Sequence, residues 1–150
     1  VQTLQYMINT LVFFSPKRRW WESDGRSPNM WTDGIAGTVV AQHFGSSDED
    51  VTMIVANPRG HAGTWLDRLP PAEAMRAVQR EIERLRPAAR GAIEPVAIHS
   101  WMRDPHAAGD WAVFAPGQVS RFSQKMAEPH GRLHFCGEHT ARANRGMEGA

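Results

Sequence analysis

The chain has 150 residues, 41% of them apolar and 22% charged, which is enough apolar material for one globular core. Its formal charge of +1 offers no field for nucleic acid, and no apolar run approaches the roughly 18 to 20 residues of a membrane span, so a soluble chain is expected. A single cysteine, Cys136, excludes an intrachain disulfide framework and is compatible with a reducing compartment, which points to the cytoplasm.

Residues 4–14 are rich in β-branched and aromatic side chains and predict a strand that ends at Ser15 and Pro16. Lys17, Arg18 and Arg19 precede Trp20 and Trp21; with no basic surroundings they read as a solvated loop anchored to the core by one indole. Residues 22–37 are dominated by Gly, Ser, Pro, Asn and Asp, the composition of a long loop, with Trp31 as its expected anchor. Residues 38–44 and 51–56 predict an antiparallel pair joined by the acidic turn 45–50. Pro70 and Pro71 open a helix to about Arg86, with Ala74, Val78, Ile82 and Leu85 as its apolar stripe. Its other face carries Glu73, Arg76, Arg80, Glu81 and Arg84, and Pro87 stops it. Residues 93–101 form a further strand, with Pro95 marking an edge or an irregular start. A short extended piece over 111–114 and a helical turn within 118–126 follow.

The C-terminal pattern carries chemistry. Residues 133–136 read as a short buried strand, Gly137 and Glu138 as a turn, and, after a short polar linker, Arg145 to Ala150 as the first turn of a helix. A ligand approaching Gly137 meets no side-chain bulk, and the Glu138 carboxylate can accept hydrogen bonds from sugar-like hydroxyls. Unpaired N–H groups at Gly146 and Met147 favour negative charge, such as that of a reduced flavin ring. His130, His134 and His139 flank Cys136, but no Cys-x-x-Cys or His-Glu-x-x-His spacing is present, so no metal is expected. Cys136 reads as a buried thiol rather than a nucleophile, and no nucleophile-elbow motif supports a serine triad.

Taken together, Ile8 to Phe14 with Trp20 and Trp21, then Trp101, Asp104, Pro105, Gly109, Trp111 and Phe114 to Gly117, then Phe135 to Thr140 and Met147 to Ala150 resemble the C-terminal part of the flavin-dependent amine oxidases. That family includes monoamine, polyamine and L-amino-acid oxidases. The resemblance implies an α/β fold: a mostly antiparallel substrate-domain sheet with one long helix over residues 1–130, and the last strand and helix start of a Rossmann-like FAD-binding domain over 131–150. It places Gly137 and Glu138 at the ribityl–diphosphate region of FAD, Met147 with its backbone at the flavin pyrimidine edge, and Trp111 as an aromatic wall beside the flavin. Trp101 is expected to be a packing residue. A flat apolar wall is sensible there, because desolvation lowers an amine's pKa and hydride leaves more readily from the neutral form.

Three positions depart from the family pattern. Gly146 stands where a second cage aromatic is usual, which leaves room for a bulkier or amino-acid substrate. Asn9 stands where many members carry a lysine near the flavin N5, which opens the way to a dehydrogenase rather than an oxidase. Asp110 stands where covalently flavinylated members carry their linking cysteine, so the FAD is expected to be noncovalent. No Gly-x-Gly-x-x-Gly follows a strand, so nothing here holds the ADP half of FAD and the chain alone is expected to be inactive. Val1 lies inside a β-type pattern and Ala150 inside a helix start, the ends expected of a fragment or of one chain of a nicked protein.

The resemblance implies oxidation of the C–N bond of an amine or amino acid to an imine by hydride transfer to FAD. The partners would be the remainder of the flavoprotein or a second chain, and self-association into a homo-oligomer is compatible with this. Two other readings stand beside it: a flavin desaturase or dehydrogenase acting on C–C bonds, and a non-catalytic assembly chain in which Trp20, Trp21 and Trp111 belong to an interface.

Overall fold

Strict alternation along Thr10 to Phe14, with Thr10, Val12 and Phe14 fully buried and Leu11 and Phe13 only half-buried, marks a strand with two different faces. The computed structural model describes residues 4–43, 50–123, 125–142 and 146–149. Phe44, most of the acidic turn that follows it, and Arg145 lie outside these. The chain divides into two units, one of Ile8–Ala108 and one of Val1–Met7 with Gly109–Ala150.

The first unit is a five-stranded antiparallel sheet backed by one long helix. Strands β2 (Thr10–Pro16), β3 (Met30–Trp31), β4 (Thr38–His43), β5 (Val51–Asn57) and β6 (Ile93–Ser100) lie in the order β3-β4-β5-β2-β6. The expected pair of residues 38–44 and 51–56 is β4 and β5, in register from Thr38↔Asn57. Pairing of Val12 with Ala56, Phe14 with Ile54 and Val39 with Ala56 stacks the buried residues of three strands on one face. Helix α3 (Pro71–Leu85) covers that face with Ala74, Ala77, Val78 and Ile82, while Leu85 stays half-buried. Pro71 supplies the preset first-turn geometry, and Pro87 follows the Arg86 cap that donates to Ile82 O. Outer strand β6 pairs with β2 and carries a bulge between Ala97 and Pro95, in keeping with the edge position expected from Pro95.

Gly37 shows how closely the chain approaches itself at the start of β4. Its φ is +60°, and a β-carbon there would run into the carbonyl of Asn57. Gly37→Ala is therefore expected to destabilise the fold by about 1–3 kcal/mol, read as a lowered thermal midpoint. An unchanged midpoint would contradict the close approach.

Arg86, buried at the end of α3, is held by two short bonds from Nε and Nη2 to the carboxylate of Asp24, each 2.7 Å, and by a third from Nη1 to Ser27 O at 3.0 Å. Its guanidinium also lies 4.8 Å from the centroid of the Trp20 ring. The hydrogen bonds from Arg86 hold the Asp24 carboxyl below its ordinary value, against an opposing effect of desolvation. A depressed folded-state pKa stabilises above the unfolded value and loses that contribution as pH falls through the folded one. The stability gap between the wild type and Asp24→Asn should thus be constant from neutral pH down to about pH 4 and close below it. A gap that widens on acidification would contradict the pairing.

Three expectations are corrected in this unit. Residues 4–14 are not one strand: the ladder breaks at Met7 to Asn9, between β1 (Gln5–Tyr6) and β2. Trp20 and Trp21 begin a short helix, α1 (Trp20–Ser23), and both are buried, edge to face with centroids 5.6 Å apart. Trp31 is no anchor; it sits on the outer strand β3 and is 85% exposed. The adjacent cations are each engaged locally, Lys17 by Glu94, Arg18 by the carbonyls of Ala88 and Arg90, and Arg19 by Glu22.

The second unit contains a short ladder of β1 with β7 (Ala112–Val113), prolonged by backbone bonds between Met7 and both Asp110 and Trp111. The helical turn expected within 118–126 is α4 (Gln118–Phe122). Residues 133–136 depart from expectation. Leu133 closes a tight turn with His130, the rest has no ladder partner among the described residues, and Leu133, Phe135 and Cys136 are exposed. An apolar strand becomes buried only when a neighbour satisfies its backbone, and no described strand runs beside this one. The expected helix start is a single 3₁₀ turn, Met147–Gly149. No helix of the described residues is long and apolar enough to cross a membrane.

Candidate functional site

The turn at Gly137 and Glu138 is built by local bonds. Gly137 takes φ +119°, its carbonyl accepts from both the N–H (2.9 Å) and the hydroxyl (2.8 Å) of Thr140, and residues Glu138–Thr140 close a 3₁₀ turn. A β-carbon at Gly137 would press on the His139 ring at 3.1 Å, so this backbone suits glycine alone. Glu138 is directed to the short ladder: its Oε2 accepts the Ala112 N–H at 3.2 Å. Ala112 follows Trp111, whose indole is 48% exposed and whose carbonyl accepts the Met7 N–H at 2.7 Å.

Three of the sequence-predicted site residues, Gly137, Glu138 and Trp111, are thus gathered by one side-chain bond. The turn of Met147–Gly149 lies against that of Glu138–Thr140, which adds Met147, 97% exposed, and Gly146. Gly146 takes φ +129°, with no heavy atom of the described residues within 4 Å of where a β-carbon would sit. The backbone there is one that residues other than glycine avoid. Asn9 belongs to the other unit, where it is 4% exposed, its carbonyl accepts the Trp101 N–H at 3.1 Å, and it bridges Arg59. Trp101 packs edge to face on His99 at 4.6 Å.

One surface escaped the reading of the sequence. The face of the sheet opposite α3 carries an open, largely apolar depression of about 320 Å³ lined by Leu11, Phe13, Gln42, Met53, Val55 and Asn57. Its signal was present: Leu11 and Phe13 are as apolar as Val12 and Phe14, so β2 has no polar face to offer water. Among the described residues no three His, Cys, Asp or Glu side chains are gathered as a metal ion would require.

A positive-φ glycine thus lies beside a carboxylate that is bonded to the residue following a half-exposed tryptophan. The chain belongs to the flavin-containing amine oxidoreductases, whose family model matches residues 1–150. Among its relatives is the L-amino-acid oxidase of Vipera ammodytes ammodytes, 24% identical over 148 residues, with 96% of this chain and 31% of the relative covered. That of Notechis scutatus scutatus is 25% identical over 148 residues, covering 96% and 29%. Of solved structures, a putrescine oxidase redesigned in its cofactor binding has the same fold with TM-score 0.71 and 21% identity, covering 93% of this chain and 31% of its own. Cyclohexylamine oxidase from Brevibacterium oxydans gives TM-score 0.71 and 19% identity, covering 92% and 31%. The chain spans less than a third of the length of these relatives.

Proposed function

We propose that this chain is the substrate-handling and flavin-contacting portion of an enzyme that oxidises the C–N bond of an amine or amino acid. The observation that carries the reading is the Glu138–Ala112 hydrogen bond, which ties the glycine–carboxylate turn to Trp111. Residues 1–130 would contribute the substrate domain and 131–150 the end of the FAD-binding domain. When bound, FAD supplies the two-electron oxidation of the C–N bond, leaving an imine that water hydrolyses.

The chain's own residues bind and orient. Gly137 admits the ribityl–diphosphate portion close to the backbone, Glu138 accepts hydrogen bonds from its hydroxyls, and the Met147 backbone meets the pyrimidine edge. Trp111 forms one apolar wall, excluding water so that the amine is held uncharged. Within the unit Ile8–Ala108, the depression over Leu11, Phe13, Met53 and Val55 is an apolar surface with Gln42 and Asn57 able to orient a polar group. Asp110 cannot form a thioether to the flavin, which supports noncovalent binding. L-amino-acid oxidases, putrescine oxidase and cyclohexylamine oxidase among the similar proteins make amines and L-amino acids the substrates to try first.

The test is a visible spectrum of the whole protein carrying this sequence, followed by anaerobic addition of putrescine, cyclohexylamine and a panel of L-amino acids. Bleaching of a flavin band, with release of ammonia and the carbonyl product, is expected for at least one of them. A flavin reduced without ammonia or carbonyl product would favour the C–C dehydrogenase reading. A protein that stays colourless with added FAD would favour the assembly chain.

A further inference from the structure

The carboxylate of Asp67 joins β2 to the outer strand β6 at the end where Asn9 lies. Asp67 caps α2 (His61–Leu66), its N–H donating to Gly63 O at 2.9 Å. One carboxylate oxygen accepts the Thr10 hydroxyl at 3.1 Å and the other the Ser100 hydroxyl at 2.8 Å. Thr10 is the first residue of β2 and Ser100 the last of β6, and the two are register partners. One side chain therefore spans the final rung of the ladder, and Asn9 is the next residue out.

The surroundings leave that rung little freedom. Thr10 N–H donates to Pro58 O at 3.0 Å, Gly60 N–H to Ile8 O at 3.1 Å, and Trp101 N–H to Asn9 O at 3.1 Å. Helix α2 presses on the same segment: a β-carbon at Gly63 would sit 3.0 Å from Ile8 Cγ2 and 3.5 Å from Thr10 Oγ1. These are backbone bonds and close packing. Asp67 reaches both strands with its side chain, one carboxylate oxygen to each hydroxyl. An amide in its place keeps one acceptor oxygen and cannot accept both hydroxyls through separate atoms. Because the Asn9 carbonyl is tied across to Trp101, the residue after Ser100, any change in the Thr10–Ser100 rung is passed directly to Asn9.

We propose that Asp67 is the positioning residue for Asn9, setting through Thr10 and Ser100 the place from which Asn9 acts on the reacting amine and flavin. This rests on the reading in which Asn9 occupies the family's lysine position, and gives that position its support. The geometry makes the effect one of orientation: Asp67 bonds to the residues flanking Asn9 and its cross-strand neighbour.

The experiment is a double-mutant cycle in the whole flavoprotein, using the rate of anaerobic flavin reduction by whichever of putrescine, cyclohexylamine or an L-amino acid bleaches it fastest. Asp67→Ala and Asn9→Ala should each slow reduction by about tenfold or more. The double variant should be no slower than the slower single, with FAD content unchanged. Thr10→Val and Ser100→Ala should each give part of the Asp67→Ala loss. If Asp67→Ala holds no flavin, Asp67→Asn, which keeps one acceptor oxygen and loses the charge, takes its place in the cycle. Losses that multiply in the double variant, or an Asp67 variant reducing at the wild-type rate while Asn9→Ala is slow, would overturn the positioning role. A wild-type rate in Asn9→Ala would instead overturn the reading of Asn9 on which the role rests.

Discussion

Trp20→Ala is expected to destabilise the protein by about 3–5 kcal/mol, the range for deleting a large aromatic from a close-packed interior. Trp20 is fully buried, stands edge to face with Trp21, and carries the Arg86 guanidinium over its ring. Its removal opens a cavity beside a buried cation whose other partners, Asp24 and Ser27, are fixed by the same segment. The loss therefore combines missing apolar contact with a loosened ion pair. Trp31→Ala is the internal control: 85% of Trp31 is exposed, so its replacement should change stability by no more than about 0.5 kcal/mol. Denaturant titration of both variants in the whole protein reads the difference. Equal losses would mean that Trp20 contributes no more to the buried core than an exposed indole does.

On the proposed reading, Glu138→Ala should weaken FAD binding by roughly tenfold to a hundredfold, the value of one or two hydrogen bonds to a charged acceptor. The substitution removes an acceptor for ribityl hydroxyls and also frees the Ala112 N–H, so the segment carrying Trp111 loses its tie to the turn. Glu138→Gln separates the two effects. The amide oxygen can still accept from Ala112, so the tie survives while the charge is lost. The glutamine variant should fall between the wild type and the alanine variant when FAD is titrated into deflavinated protein. An alanine variant with wild-type affinity would remove Glu138 from the cofactor's contacts.

Much of the larger unit was legible in the sequence, because its elements announce themselves by period and punctuation. Pro71 and Pro87 bracket α3, and Ala74, Val78 and Ile82 recur at helical spacing, so the helix and its buried face both follow. Pro95 gives away the outer strand because a central one would need its N–H. What escaped depends on tertiary partners. The break at Met7 to Asn9 arises from contacts with residues 58–60 and 101, remote in sequence. Trp31 and the run Leu133 to Cys136 look buried by composition, yet apolarity states only what a residue would gain by burial. The neighbour that would cover it must come from elsewhere. At the candidate site, the types Gly137 and Glu138 pointed to a ligand before any geometry was known. That Glu138 turns towards Ala112 was invisible, since a bond across 26 positions leaves no local trace.

The bulge on β6 also bears on solubility. Pro95 has no N–H, Val96 is the surplus residue between the two registers, and Glu94 just before it is exposed and paired with Lys17. An outer strand with regular unpaired groups along its whole length is a template for runaway association between sheets. Here the template is only half available: an added strand could ladder beside Ala97 to Ser100 but would meet a kink, a missing donor and a charge beyond it. Replacing Pro95 by a β-branched residue would leave the fold its sheet while removing one of its guards against aggregation.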